Sequence, residues 1–389
     1  MFKQVLAAAA TLGFVGTSGA EVPAPLPVEP TGVIEQLPER YPDSWFLVQD
    51  ASFFHMSDGK TYVIDTSQDS VASQVQGTFN IVAMGNMFQA PSRQEIYATE
   101  TFHTRGTRGT RIDVLTIWDT ATLSPKGEVI LPQGKRFMGM PERNVMKLLN
   151  GDKWLAIFNL SPATSVTLVD LDTRELMGEI ATPGCSFLYP AGSLGFSSLC
   201  ADGRFLTVLL NEDGTEKSRK RSDVFFDSDT TPIFERAPIV GKMGYFPSFK
   251  GLLHPVDFSG DVARPAQAWS MAADDEGPWA ASGIGIDGED ALGRIYFLMN
   301  PEAAEIDGAH NAGGSEIWIF DPKTQQRVQR ITLQEWGLSF AVNRSETPQI
   351  LVTNPVDMSV ELYDVASGEF IRKITAFGQE TPLFIQGAQ

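Results

Sequence analysis

The sequence predicts an all-β chain folded as a seven-bladed β-propeller, from two observations. One strand–turn–strand unit recurs along the whole length, and short apolar runs with the two-residue period of strands fill the space between its copies. Each copy is a β-rich run ending in an acidic residue, then a polar turn, then a second amphipathic run. The clearest are Ile117-Trp118-Asp119-Thr120-Ala121-Thr122, Ile319-Phe320-Asp321-Pro322-Lys323-Thr324 and Leu362-Tyr363-Asp364-Val365-Ala366-Ser367. Tyr62-Val63-Ile64-Asp65 has the same strand ending but carries Gln68 at the last turn position. Weaker copies centred on Asp170, Asn211 and Asp257 complete seven. The seven turn residues stand 41 to 54 residues apart, except for one interval of 64 between Asp257 and Asp321. In six of them Thr, Ser or Gly follows three residues later, which is the chemistry of a side chain accepting backbone N–H groups in a turn.

Strand alternation flanks these turns in Glu316-Ile317-Trp318-Ile319-Phe320 and Val328-Gln329-Arg330-Ile331. Further strands are expected at Trp154–Phe158, Ile295–Met299 and Ile350–Thr353. No amphipathic helix longer than a few turns competes with them. Seven units of about four strands suit a propeller, which protects its sheet edges by radial repetition. Copies recurring over the whole chain argue against the alternative of two β-sandwich domains. The long interval carries a Gly- and Asp-rich segment, 273–314, where an extended loop is expected.

The chain starts as an exported protein would. Lys3 supplies a positive start, Val5 to Gly16 an apolar stretch and Ser18-Gly19-Ala20 a small-residue cleavage site, so residues 1–20 are expected to be a signal peptide. A Pro-rich, extended segment is expected at 21–40, and the propeller as a single domain at 41–389. No stretch approaches the roughly 20 apolar residues of a membrane helix. The expected location is the periplasm. A formal net charge of −18 without a basic, aromatic-bearing patch argues against nucleic acid as a partner. The two cysteines, Cys185 and Cys200, are in an oxidising compartment most simply a disulfide, and their spacing is not that of a C-x-x-C redox pair.

Catalytic patterns are sparse. The four histidines (His55, His103, His254, His310) show no metal-ligand spacing, and no nucleophile elbow or P-loop is present. No metal is expected. Gly283-Ile284-Gly285-Ile286-Asp287-Gly288 lacks the βαβ context of a phosphate loop and reads as an ordinary loop. Asp274-Asp275 and Glu289-Asp290 read as solvated loop charges. The densest cluster is His103-Thr104-Arg105-Gly106-Thr107-Arg108-Gly109-Thr110-Arg111-Ile112-Asp113. Its arginines either pair with nearby acids in a strand-connecting loop or anchor a partner protein, for which arginine's planar donor fork is suited.

At this cluster the chain resembles the large subunits of the amine dehydrogenases, those of aralkylamine dehydrogenase more closely than those of methylamine dehydrogenase. The resemblance also runs through Asp50 to His55, Val114 to Asp119, Ser161-Pro162-Ala163-Thr164-Ser165, Gly184-Cys185, Cys200-Ala201-Asp202-Gly203, Pro232-Ile233-Phe234, Asp257 to Asp261 and Glu316-Ile317-Trp318. It implies a periplasmic heterotetramer of two large and two small subunits that deaminates a primary amine to aldehyde and ammonia. The quinone cofactor, tryptophan tryptophylquinone, then belongs to the small subunit and none to this chain, and electrons leave to a blue copper protein. The large subunit holds its partner, with His103, Arg105, Arg108 and Arg111 as expected interface, and helps to wall the substrate channel. Met84 aligns with an aromatic channel position of the family, with Phe79 and Phe88 nearby; Met84 is equally readable as core. The competing functions are a non-catalytic periplasmic binding or assembly scaffold and a propeller with its own quinone or metal site, which the scarcity of histidine disfavours.

Overall fold

The computed structural model describes residues 36–388 apart from 52–57, 83, 274–276, 355, 376–377 and 379–381. Residues 1–35, His55 and the Asp274-Asp275 pair lie outside the described residues. Seven antiparallel sheets of four or five strands make the seven blades of a β-propeller. Blade 2 runs Asn86–Ala90, Glu95–Arg105, Arg108–Asp119 and Pro125–Ile130, in that order from one sheet edge to the other. Blade 3 repeats this with Met146–Leu149, Trp154–Asn159, Ser165–Asp170 and Glu175–Ala181. Blade 4 comprises Cys185–Pro190, Gly195–Cys200, Arg204–Leu210 and Glu216–Arg221. Blades 5, 6 and 7 are centred on Leu252–Asp257, Gly314–Asp321 and Ser359–Asp364.

Blade 1 closes the ring. Trp45–Asp50, Lys60–Asp65 and Val75–Asn80 supply three strands, and the last strand of the chain, Pro382–Gly387, takes the place that the first strand holds in the other blades. Two distant parts of the sequence therefore share one hydrogen-bonded ladder, and opening the ring requires breaking it. The expected strands at 154–158, 295–299 and 350–353 lie within Trp154–Asn159, Ile295–Asn300 and Gln349–Asn354. The one α-helix among the described residues is Val71–Gln74.

The seven repeated turns all end the third strand of a blade. Their carboxylates accept backbone N–H groups two or three residues on: Asp65 from Ser67 (2.9 Å), Asp119 from Thr122 (2.9 Å), Asp170 from Thr173 (2.8 Å). Asp257 takes Ser259 (2.7 Å), Asp321 takes Lys323 (2.9 Å) and Asp364 takes Ser367 (2.8 Å). Hydrogen bonds to backbone Thr122 and Thr173 hold the Asp119 and Asp170 carboxyls below the usual range. Blade 4 differs. There Asn211 bonds the Thr215 side chain through its amide (3.0 Å), and Asp213 accepts the Thr215 N–H instead (2.9 Å).

Because strands alternate in direction, these turns share one face of the ring with the hairpins between first and second strands. The opposite face carries the second-to-third hairpins and the connections from blade to blade. The turns on the first face are short, whereas the opposite face bears the long connections 131–145, 222–238 and 301–313. In the 64-residue interval the inner strand of blade 6 is broken into Ala280–Ala281 and Asp287–Glu289, both paired to Ile295–Asn300. The Gly283–Gly288 run is thus partly strand rather than wholly loop.

Apolar side chains from both sides of each sheet pack between blades. Tyr189, Phe205, Phe246 and Phe258 meet between blades 4 and 5 with ring centroids 5.1–6.3 Å apart. Cys185 and Cys200 are opposed across the first two strands of blade 4 and form a disulfide. Closing a loop of 15 residues contributes about 3 kcal/mol in the chain-entropy model. The C185S/C200S double variant is accordingly expected to unfold at lower urea, by about that free energy; an unchanged midpoint would contradict this assignment of the bridge to stability.

Candidate functional site

The second and third strands of blade 2 are 11 and 12 residues long, where those of blade 3 have 6 each. They outrun their sheet and project as a β-ribbon on the long-connection face, with residues 104–110 exposed. Gly106 and Gly109, both at positive φ (72° and 98°), make the tip, and the Thr110 N–H donates to Thr104 Oγ1 (3.1 Å). The tip sets Arg105 directly opposite Arg108, and His103 opposite Arg111. Like charges facing each other across a strand pair are destabilising. Neither Arg105 nor Arg108 has an acidic partner among the described residues, so none of these offsets that repulsion.

Arg111 is placed differently. Its Nε donates to both oxygens of Asp113 (2.9 and 3.1 Å). Burial alone would raise the Asp113 carboxyl, but Arg111, the Thr101 hydroxyl (2.6 Å) and the Gly134 N–H (2.6 Å) hold it below the usual carboxylate range. The pairing of cluster arginines with acids thus describes Arg111 and not Arg105 or Arg108.

From the ribbon base a polar chain leads to Met84. Arg136, only 3% exposed, donates through Nε to Thr101 Oγ1 (2.8 Å) and through Nη1 to the carbonyls of Met84 (2.9 Å), Thr99 (3.1 Å) and Phe137 (3.0 Å). Met84 itself has φ 58°, a left-handed backbone that a non-glycine residue adopts at a cost of about 1–2 kcal/mol. Its side chain is partly exposed. The strain is held by the Arg136 contact and by the Gly85 N–H to Val82 carbonyl bond (2.8 Å). The same face exposes Phe102 (37%), Met138 (40%) and Leu160 (44%) near this chain. Arginine, aromatic and methionine side chains are the ones enriched where proteins meet.

The two phenylalanines expected near Met84 have different surroundings from each other. Phe79 is core, its ring 5.3 Å from Trp118. Phe88, partly buried, lines a cavity on the ring axis. Arg136 was not singled out in the sequence, because a lone arginine in Gly134-Lys135-Arg136 carries no pattern that separates it from any surface cation.

The axis itself is occupied. Glu142 takes Arg236 as an ion-pair partner (2.8 Å), and its N–H donates to Asn86 Oδ1 in blade 2 (2.9 Å). Arg143 reaches the Ile385 carbonyl of blade 1 (3.3 Å) and stands 3.9 Å from Asp287 of blade 6. Asn144 donates to the Glu235 carbonyl ahead of blade 5 (3.4 Å). A segment touching four blades' approaches can stand only at the centre. Burial pushes the Glu142 carboxyl up to about 7 and raises that of Asp287. Glu289 and Asp290 are not solvated loop charges. Glu289 pairs with Arg344 (2.5 Å), and Asp290 is buried, holding the Arg294 side chain (2.6 Å) and the Tyr296 hydroxyl (2.7 Å).

The ring has one plain and one elaborated face, and the latter carries the ribbon with Arg105 and Arg108 at its tip. Residues 44–387 match the family model described as methylamine dehydrogenase heavy chain. The chain belongs to that family. The methylamine dehydrogenase heavy chain of Methylorubrum extorquens is 26% identical over 82% of this chain and 76% of its own, and that of Paracoccus versutus 24% identical over 82% and 74%. A solved protein of unknown function from Desulfotomaculum acetoxidans has the same fold, with a TM-score of 0.55 at 11% identity over 89% of this chain and all of its own.

Proposed function

We propose that this chain is the large subunit of a periplasmic quinoprotein amine dehydrogenase, exported by a leader at residues 1–20. The observation that carries the proposal is the Arg105–Arg108 ribbon joined through Arg111, Asp113, Thr101 and Arg136 to the strained Met84 turn. The ribbon grips a small subunit, two of each making the heterotetramer. The polar chain behind it fixes Met84 where the two subunits meet, as part of the wall of the amine channel. Tryptophan tryptophylquinone, formed from the small subunit's own residues, supplies the two-electron oxidation of a primary amine to aldehyde and ammonia. The electrons then leave to a blue copper protein. This chain holds no part of that cofactor; its residues orient the partner and form part of the channel wall, and water supplies the aldehyde oxygen as ammonia leaves.

Met84 stands where the family resemblance puts an aromatic ring, and a flexible thioether leaves a looser passage. In the assembled enzyme Met84→Ala is expected to change the ratio of kcat/KM between a small and an aromatic amine by roughly tenfold, the scale of a hydrophobic-pocket change. An unchanged ratio across both amine classes would remove Met84 from the channel. The function itself is tested by capturing the chain with its partner and following amine-dependent dye reduction and aldehyde release; a complex that oxidises no amine would overturn it.

A further inference from the structure

Below the Glu142–Asn144 segment the ring axis holds a cavity of about 320 Å³. The inner strand of blade 3 lends it Lys147, and the axial segment lends Arg143 and Asn144. Among the described residues no acidic one lines it; the acids Glu142, Asp287 and Glu289 line the adjoining cavity of about 110 Å³. Lys147 is partly buried and, among the described residues, has no ion-pair or hydrogen-bond partner. Burial lowers its ammonium pKa, and Asp152, beyond ion-pair distance, opposes this only in part. Of the five N–H donors of a guanidinium, Arg143 commits one to the Ile385 carbonyl, and Asp287 stands no nearer than 3.9 Å. The Asn144 and Gln386 amides also border the space, and Phe88, Leu148, Leu188 and Ile239 supply apolar wall.

We propose that this axial cavity is a binding site for a small organic carboxylate with an apolar tail. One cation without an acidic partner, Lys147, and a second, Arg143, paired with an acid only by Asp287 at 3.9 Å, stand beside an apolar wall and define that chemistry: the carboxylate meets Lys147 and Arg143, and the tail meets Leu148, Leu188 and Ile239. A buried ammonium without a partner is costly, and an anion beside it relieves that cost. Space is sufficient, since an apolar cavity of about 150 Å³ already admits a benzene ring. The site is separate from the ribbon and Met84, and its test does not depend on the dehydrogenase reading.

Phenylacetate and its neutral analogue phenylacetamide, titrated calorimetrically into the full chain, provide the test. Phenylacetate is expected to bind with a Kd below ~1 mM, phenylacetamide at least ~10-fold more weakly. Lys147→Met, which removes the unpaired charge and keeps the length, is expected to weaken phenylacetate ~10-fold or more without lowering the thermal midpoint. No binding of phenylacetate at ~10 mM, equal binding of the amide, or unaltered binding by a folded K147M chain would each overturn the assignment. Should K147M not fold, the comparison of acid with amide on the unaltered chain decides the matter alone.

Discussion

Replacing Arg136 by Met is expected to lower the unfolding free energy of the chain by about 3–5 kcal/mol, the cost of breaking a buried charged network from one side. The side chain is almost wholly buried and donates to three backbone carbonyls and the Thr101 hydroxyl. Methionine fills much of the space but donates nothing, so those acceptors lose their partners inside the protein. Asp113 and Glu100 also lose a nearby cation whose field opposes the burial of their charge. The second consequence is local. Met84 keeps its left-handed backbone only while its carbonyl is held, so the turn should relax, and hydrogen exchange at Gly85 and Asn86 should quicken. Urea unfolding and exchange measured on the same variant check both; a loss below about 1 kcal/mol would show that the network is not what holds this turn.

Reversing both charges at the ribbon tip, R105E/R108E, is expected to leave the isolated chain within about 0.5 kcal/mol of its stability. Both residues are exposed, and two opposed glutamates repel as the two arginines do. Docking of the small subunit should weaken roughly 100- to 1,000-fold, because interface arginines at hot spots are worth about 2 kcal/mol each and do not add fully. The single variant R105E separates docking from folding. It places Glu opposite Arg108, which should stabilise the ribbon by about 0.2–1 kcal/mol while still weakening assembly. A single reversal that stabilises the ribbon and leaves assembly intact would move the interface away from the tip.

The fold was legible because its grammar is local. An Asp at the end of a β-run is needed wherever the third strand of a blade turns back, so residues such as Asp119, Asp321 and Asp364 mark blade after blade. The copy at Asn211 is displaced by two residues, since Asp213 does the capping there. The site was legible only where charge stood out against an acidic chain, at Arg105, Arg108 and Arg111. Arg136, Glu142 and Arg143 were not, because their partners stand 52 to 242 positions away and meet them only at the ring axis or beneath the ribbon. Glu289 and Asp290 show the same limit from the other side: a polar, Gly-rich context suggested solvent, whereas the ring places one at the axis and buries the other.

The partner subunit is the most direct point of test. The full chain, tagged and captured from extracts of its own host, should bring down a small, disulfide-rich subunit, and the complex should be coloured, with a visible absorption that a primary amine bleaches. A lone, colourless propeller recovered from an extract that oxidises amines through other proteins would contradict it.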